Sequence, residues 1–215
     1  MKKLLTAAAV AGAMAFAPAQ AGLVSFAGFA ASNGEEGFAS GTSLTIDGVS
    51  MTFTSTHNPY FDGVSGGKPA GLGVCRDLTM AAQPQCVIGS DDSIDEDVAG
   101  DPESITITFD DGALPVQGIS FRDGAHNLIN DSTDFLVYSI VTDSGVLADT
   151  DTFANVFALI NAGINGVESL TFAFASKGGD QFYIEFIETP IPAALPLLLS
   201  GIAGLGFASR RKKTA

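Results

Sequence analysis

Apolar and polar residues alternate through much of the chain, and the alternation has the two-residue period of half-buried strands. Leu44-Thr45-Ile46 and Val49-Ser50-Met51-Thr52-Phe53 flank Asp47-Gly48, a pair that supplies the positive φ values of a tight hairpin turn. Ile105, Ile107 and Phe109 alternate with threonines, Ile119 and Phe121 continue the pattern, and Phe135–Val141 is a longer, more apolar run that Asp143-Ser144-Gly145 turns back into Val146-Leu147. Further on, Leu170, Phe172 and Phe174 alternate, Lys177-Gly178-Gly179-Asp180 turns the chain, and Phe182, Ile184 and Phe186 alternate again. Strands that recur with Gly and Asp turns between them predict an all-β domain built as a two-sheet sandwich. Thr152–Ile160 fits both periods, because Phe153, Val156, Phe157 and Ile160 also share a helical face; strand is the assignment adopted for it.

The two ends break this pattern. Met1-Lys2-Lys3 is a charged start, Leu4–Phe16 is apolar, and Ala19-Gln20-Ala21 is a small-x-small cleavage site, so residues 1–21 read as a secretory signal peptide and the mature chain begins at Gly22. At the other end Pro190-Ile191-Pro192-Ala193 leads into an apolar segment ending at Ala208. Ser209 and the basic cluster Arg210-Arg211-Lys212-Lys213 follow. The sixteen residues from Ala193 to Ala208 would make a transmembrane helix of roughly 24 Å, short of the ~30 Å apolar core of a bilayer. Lysines at one end and the Arg/Lys cluster at the other are both held on the cytoplasmic side, which places residues 22–188 across the inner membrane.

A Pro-x-Pro-Ala motif, a short Leu/Ala/Gly-rich span and a basic cluster, in that order over residues 189–215, resemble the VPLPA-CTERM sorting signal, a variant of the PEP-CTERM class. Pro190, Ile191, Pro192 and Ala193 stand at the last four motif positions, with Ile191 in place of Leu and Thr189 in place of the leading Val. The resemblance implies export by the Sec translocon, removal of the leader by signal peptidase, and brief anchoring in the membrane. It implies further that an exosortase then cuts near the motif and delivers the domain to the cell surface or the extracellular matrix. A second, looser resemblance lies inside the domain: Gly71-Leu72-Gly73-Val74-Cys75, Cys86, an acidic run and the Glu-led strand Glu103–Phe109 follow a pattern common in PEP-CTERM-type exported proteins. That resemblance implies a single jelly-roll-like sandwich over residues 22–188 and brings no catalytic residue with it.

Charge sharpens the picture. Once both ends are set aside, Lys68, Arg76, Arg122 and Lys177 face all 24 carboxylates, a formal charge of −20. Such a domain repels nucleic acid and anionic membrane surfaces and attracts divalent cations. Cys75 and Cys86, the two cysteines of an exported chain, are expected to close a local disulfide loop.

Seven carboxylates fall between Asp91 and Glu103 with no cation among them. Asp91, Asp92, Asp95, Asp97 and Glu103 form a candidate calcium set, since calcium takes six to eight oxygens. Asp91-x-Ser93-x-Asp95-x-Asp97 copies the odd-position spacing of an EF-hand loop, but Glu96 stands where the glycine belongs and Pro102 where the bidentate Glu belongs. A solvated acidic loop explains the run as well.

No catalytic constellation emerges. Gly63-Val64-Ser65-Gly66-Gly67 spells a nucleophile elbow but leads into Lys68-Pro69, not into a helix pattern. His57 and His126 sit in loop-like stretches without neighbouring ligands, and His126 reads as part of a surface turn. A carboxylate pair for glycoside hydrolysis can be drawn from 24 acids, but sequence does not show which two face each other. The expectation is a non-enzymatic surface or matrix component linked to extracellular polysaccharide. A calcium-dependent carbohydrate-binding module is the first alternative, and a secreted hydrolase is the weaker second.

Overall fold

Residues 21–65, 67–87, 92–97, 99–176 and 178–190 are described by a computed structural model. The first strand, β1 (Ala21–Ser25), runs into α1 (Phe26–Asn33), where the Ser25 hydroxyl accepts the Gly28 N–H at 2.9 Å and so caps the helix. A short β2 (Glu36–Gly37) follows, then the hairpin β3 (Thr42–Ile46) and β4 (Val49–Ser55), and a second hairpin β5 (Asn58–Ser65) and β6 (Lys68–Cys75). Beyond the disulfide loop and the acidic run come β7 (Ser104–Phe109), β8 (Leu114–Val116), β9 (Gly118–Asp123), β10 (Phe135–Thr142) and β11 (Gly145–Thr152). Helix α2 (Phe153–Asn161), β12 (Ile164–Phe174) and β13 (Phe182–Pro190) complete the order. Gly22–Thr189 is one compact unit, and Ala21 and Pro190 belong to a second whose other residues lie outside those described.

The strands form two antiparallel sheets packed as a β-sandwich. The first has the order β1-β13-β6-β5-β2, with β9 also paired to β13, and the second β11-β10-β12-β7-β4-β3, with β8 paired to β12. The hairpins expected at Asp47-Gly48 and Asp143-Ser144 are present, pairing Ile46 with Val49 and Thr142 with Gly145. Inward-facing residues of both sheets make the core: Phe53, Ile105, Ile107, Leu170 and Phe172 from one, Phe61, Leu72, Phe121 and Ile184 from the other, each at most 1% exposed. Phe26, Phe53 and Phe61 cluster at one end, with edge-to-face geometry for Phe26–Phe53 and Phe53–Phe61, and Phe121, Phe153, Phe172 and Phe182 cluster at the other.

One expectation is corrected. Phe153–Asn161 is a helix, not a strand. The Thr152 hydroxyl accepts the Asn155 N–H at 3.2 Å and starts it, and Phe153, Val156 and Ile160 bury one helical face. Among the described residues no helix is long and apolar enough to cross a membrane. The expected C-terminal transmembrane segment, the basic tail from Arg210 to Lys213 and the leader up to Gln20 lie outside the described residues.

Cys75 and Cys86 are bonded, with Cα atoms 5.9 Å apart, and the bridge Leu78↔Cys86 lays the loop back on itself. A loop of this length gains about 3 kcal/mol from cross-linking in the chain-entropy picture.

Candidate functional site

The acidic run is folded onto the sandwich instead of hanging free. Ile94 is fully buried and exchanges both backbone hydrogen bonds with Phe182 at the start of β13, at 2.8 and 3.1 Å. This single apolar anchor divides the carboxylates. Asp92 accepts a hydrogen bond from the Tyr183 hydroxyl. Asp97 Oδ1 accepts the backbone N–H groups of Asp101 and Ala99 at 3.0 and 2.7 Å, and these bonds, led by Asp101, hold its carboxyl below the usual carboxylate range. The Asp95 carbonyl accepts the Glu103 N–H at 2.7 Å, and Glu103 is buried at the head of β7. Asp91 lies outside the described residues. Among the described residues no three of His, Cys, Asp and Glu converge in a manner that would hold a metal ion.

Both histidines have carboxylate neighbours that sequence spacing does not reveal. His57 Nε2 lies 3.6 Å from Asp97 Oδ2 and 3.8 Å from Glu103 Oε1. His126 belongs to a turn, as expected, but the turn is tucked in and the residue is only 7% exposed, with a left-handed φ of 62°. Its Nε2 is 3.0 Å from Asp62 Oδ2 and its Nδ1 3.2 Å from the Lys68 carbonyl oxygen. Both ring nitrogens therefore face acceptors, and the pair has room for one proton on Nδ1 and one between Nε2 and Asp62. The Lys68 ammonium donates to Asn127 Oδ1 in the same turn, so the tip of the β5–β6 hairpin and residues 123–127 are tied by two polar links.

Asp62 is the perturbed group here. Burial, and after it the Asp92 and Glu35 carboxylates, push its carboxyl up to about 6, against the opposing pull of His126 and the Gly63 N–H. Its ordinary value is 3.8. Between those two values the folded chain holds a proton that the unfolded chain releases, so this group stabilises the fold at low pH and that stability is lost as pH rises through the window. The full effect is on the order of 3 kcal/mol. Urea unfolding of the wild type and Asp62→Asn at intervals from pH 4 to 7 is expected to show the wild type losing stability relative to the variant as pH rises. Parallel curves would overturn this assignment.

Close by, Arg122 makes a two-pronged ion pair with Glu185, Nη2 to Oε1 at 2.7 Å and Nε to Oε2 at 2.9 Å, and Ser120 Oγ donates to Oε2 at 2.7 Å. These groups are held by one another across β9 and β13, a structural brace. Ser65 ends β5 and pairs straight back with Lys68, so the Gly-x-Ser-x-Gly stretch is a strand hairpin with no helix behind it. A cleft of about 480 Å³ between Thr142–Leu147 and the end of α2 is lined by no titratable side chain. Of the sorting residues, Pro190 closes β13 and Ile191, Pro192 and Ala193 lie outside the described residues, as does Ala19, while Ala21 and Gly22 begin β1.

No family model, no curated protein and no solved structure matches this chain.

Proposed function

We propose that the chain is an exported surface or matrix component, associated with extracellular polysaccharide, that an exosortase releases by cutting within Pro190–Ala193. The Sec translocon and signal peptidase act first, at Ala21/Gly22, and the apolar segment after Ala193 with its Arg210–Lys213 tail holds the chain in the membrane until it is cut. The domain itself is a jelly-roll-like sandwich that supplies binding and bulk, not catalysis.

The observation that carries this reading is the order of motif, apolar span and basic cluster after Thr189. Support comes from where the folded unit stops: it spans Gly22–Thr189, and its first and last strands, β1 and β13, are neighbours in one sheet. Cuts at Ala21/Gly22 and beyond Pro190 leave the compact unit Gly22–Thr189 whole.

The test is the intact mass of the protein from its native host, with and without the exosortase. A chain beginning at Gly22 and ending within residues 190–193, seen only when the exosortase is present, is the expected result. A chain ending at Ala215 in both strains would overturn the proposal.

A further inference from the structure

After residue 21 the chain holds two methionines, Met51 and Met80, and the fold treats them oppositely. Met51 lies on β4 and is fully buried in the core. Met80 is 104% exposed, whereas Val146, the next most exposed large apolar side chain among the described residues, reaches 61%. A thioether is a soft, polarizable group that cores readily use, yet here a whole one stands in water. The other sulfurs are committed. Cys75 and Cys86 are bonded to each other and no cysteine is free. Among the described residues Met80 is therefore the one thiol or thioether open to solvent, and the chain has no tryptophan to compete for an oxidant.

The fold holds this side chain in place. Inside the disulfide loop the Thr79 N–H donates to the Gln85 carbonyl at 2.8 Å and the Gln85 N–H to the Thr79 hydroxyl at 2.9 Å, which closes a turn over residues 80–84. The returning limb is fastened to the domain. The Gly37 N–H donates to the Pro84 carbonyl at 2.9 Å, the Gln83 side-chain amide to the Asn33 carbonyl at 2.8 Å, and the Gln85 side-chain amide to the Glu35 carbonyl. Met80, Ala81 and Ala82, on the other side of the turn, are exposed. None of the bonds that fix the loop uses the Met80 side chain, so a change at its sulfur leaves all of them standing.

We propose that Met80 is a modification site, oxidised by peroxides to methionine sulfoxide while the domain stays folded. The sulfur lone pair attacks one peroxide oxygen, and the S–O bond forms as the O–O bond breaks. The departing oxygen takes the proton left on the transferred one and leaves as water, or as an alcohol from an organic peroxide. Sulfur is oxidised by two electrons and the peroxide is reduced by two. The attack needs an open approach to the sulfur, which Met80 has and Met51 lacks. The product is a polar, chiral side chain. At Met51 it would break the core; at the loop tip it replaces an apolar surface group by a strong hydrogen-bond acceptor. Methionine sulfoxide reductase restores the thioether, so the site is a reversible change in surface polarity, and it does not depend on how the chain ends are processed.

The test exposes the purified folded protein to hydrogen peroxide and follows the peptides bearing Met51 and Met80 by mass over time. Met80 is expected to gain one oxygen at a rate within about threefold of methionine in a short unstructured peptide. Met51 is expected to react at least about a hundredfold more slowly, since it meets peroxide only when the fold opens. In concentrated urea the two rates should converge. Met80→Leu, at a position where the side chain packs against nothing, should leave folded protein that takes up no oxygen on that peptide. The wild type oxidised at Met80 should elute earlier from a phenyl column, keep its urea midpoint, and return to its first elution position after treatment with the reductase and a dithiol. A Met80 rate below the stated range overturns the proposal, as does Met51 keeping pace with Met80 in the folded protein. A fall in the urea midpoint on Met80 oxidation also overturns it, because the sulfur would then be part of the packing.

Discussion

Phe121→Ala is expected to remove about 3–5 kcal/mol of stability, a large share of the 5–15 kcal/mol that holds a domain folded. Phe121 lies on β9 in the first sheet and is fully buried. Its ring meets Phe182 of its own sheet at 6.0 Å, Phe172 of the opposite sheet at 5.4 Å and Phe153 of α2 at 5.3 Å, all edge to face. Truncation loses the transfer term for the ring, leaves a cavity whose walls belong to three separate elements, and ends three aromatic contacts at once. The walls cannot close together without moving both sheets. Urea unfolding should show a lower midpoint with little change in slope, while Phe135→Ala, on a side chain 40% exposed, stays within about 0.5 kcal/mol of the wild type. Equal losses for the two variants would show that Phe121 does not join the layers as described.

The strands that sequence reveals best are those whose alternation is uninterrupted. Thr45 to Phe53 around Asp47-Gly48, and Ile105 to Phe109, combine β-branched or aromatic residues with a clean period, and both are strands in the fold. The β5–β6 hairpin is hidden because Pro59, Gly63, Pro69, Gly71 and Gly73 imitate turn composition. Its inner face nonetheless alternates, with Phe61, Ala70, Leu72 and Val74 fully buried. Gly73 belongs to the outer face, where the acidic loop lies on it: a Cβ there would sit 2.0 Å from the Asp92 carbonyl oxygen. Helix α2 was ambiguous for a different reason. All of its nine residues except Asn155 and Asn161 are apolar, so a period of two and one of 3.6 each find an apolar face in it, and the Thr152 cap, not the period, decides between them.

The candidate site was less legible because its contacts are remote in sequence. Asp62 and His126 meet across 64 residues and Asp92 and Tyr183 across 91, and no local spacing encodes either. The acidic run is visible as a cluster along the chain, but in space it divides: Asp97 and Glu103 share His57, while Asp92 goes to Tyr183. Burying Ile94 against Phe182 sends Asp92 toward β13 while Asp97 turns back onto its own loop.

Gly71→Ala is expected to cost about 4 kcal/mol or more and to take the polar site with it. Gly71 has a φ of 138°, where an L side chain is strained, and a Cβ there would lie 2.2 Å from the Ile184 carbonyl oxygen and 2.8 Å from the Glu185 Cα. These are backbone atoms of β13, so no rotamer change relieves the clash and β6 must separate from β13 where Leu72 pairs with Ile184. Gly71 also pairs with Asp62 on its other side. Displacing β6 therefore exposes the Asp62 carboxyl, and since burial is the main cause of its raised pKa, the pH-dependent loss of stability between about 4 and 6 should fade in whatever folded fraction remains. Gly41→Ala separates the two contributions, because Gly41 has a φ of 91° but nothing within 4 Å of the added carbon. Its cost should be backbone strain alone, about 1 kcal/mol. Thermal melts of the two variants at pH 4 and pH 7 give both readings, and a Gly71→Ala protein as stable as Gly41→Ala would mean that β6 and β13 do not approach as closely as their pairing requires.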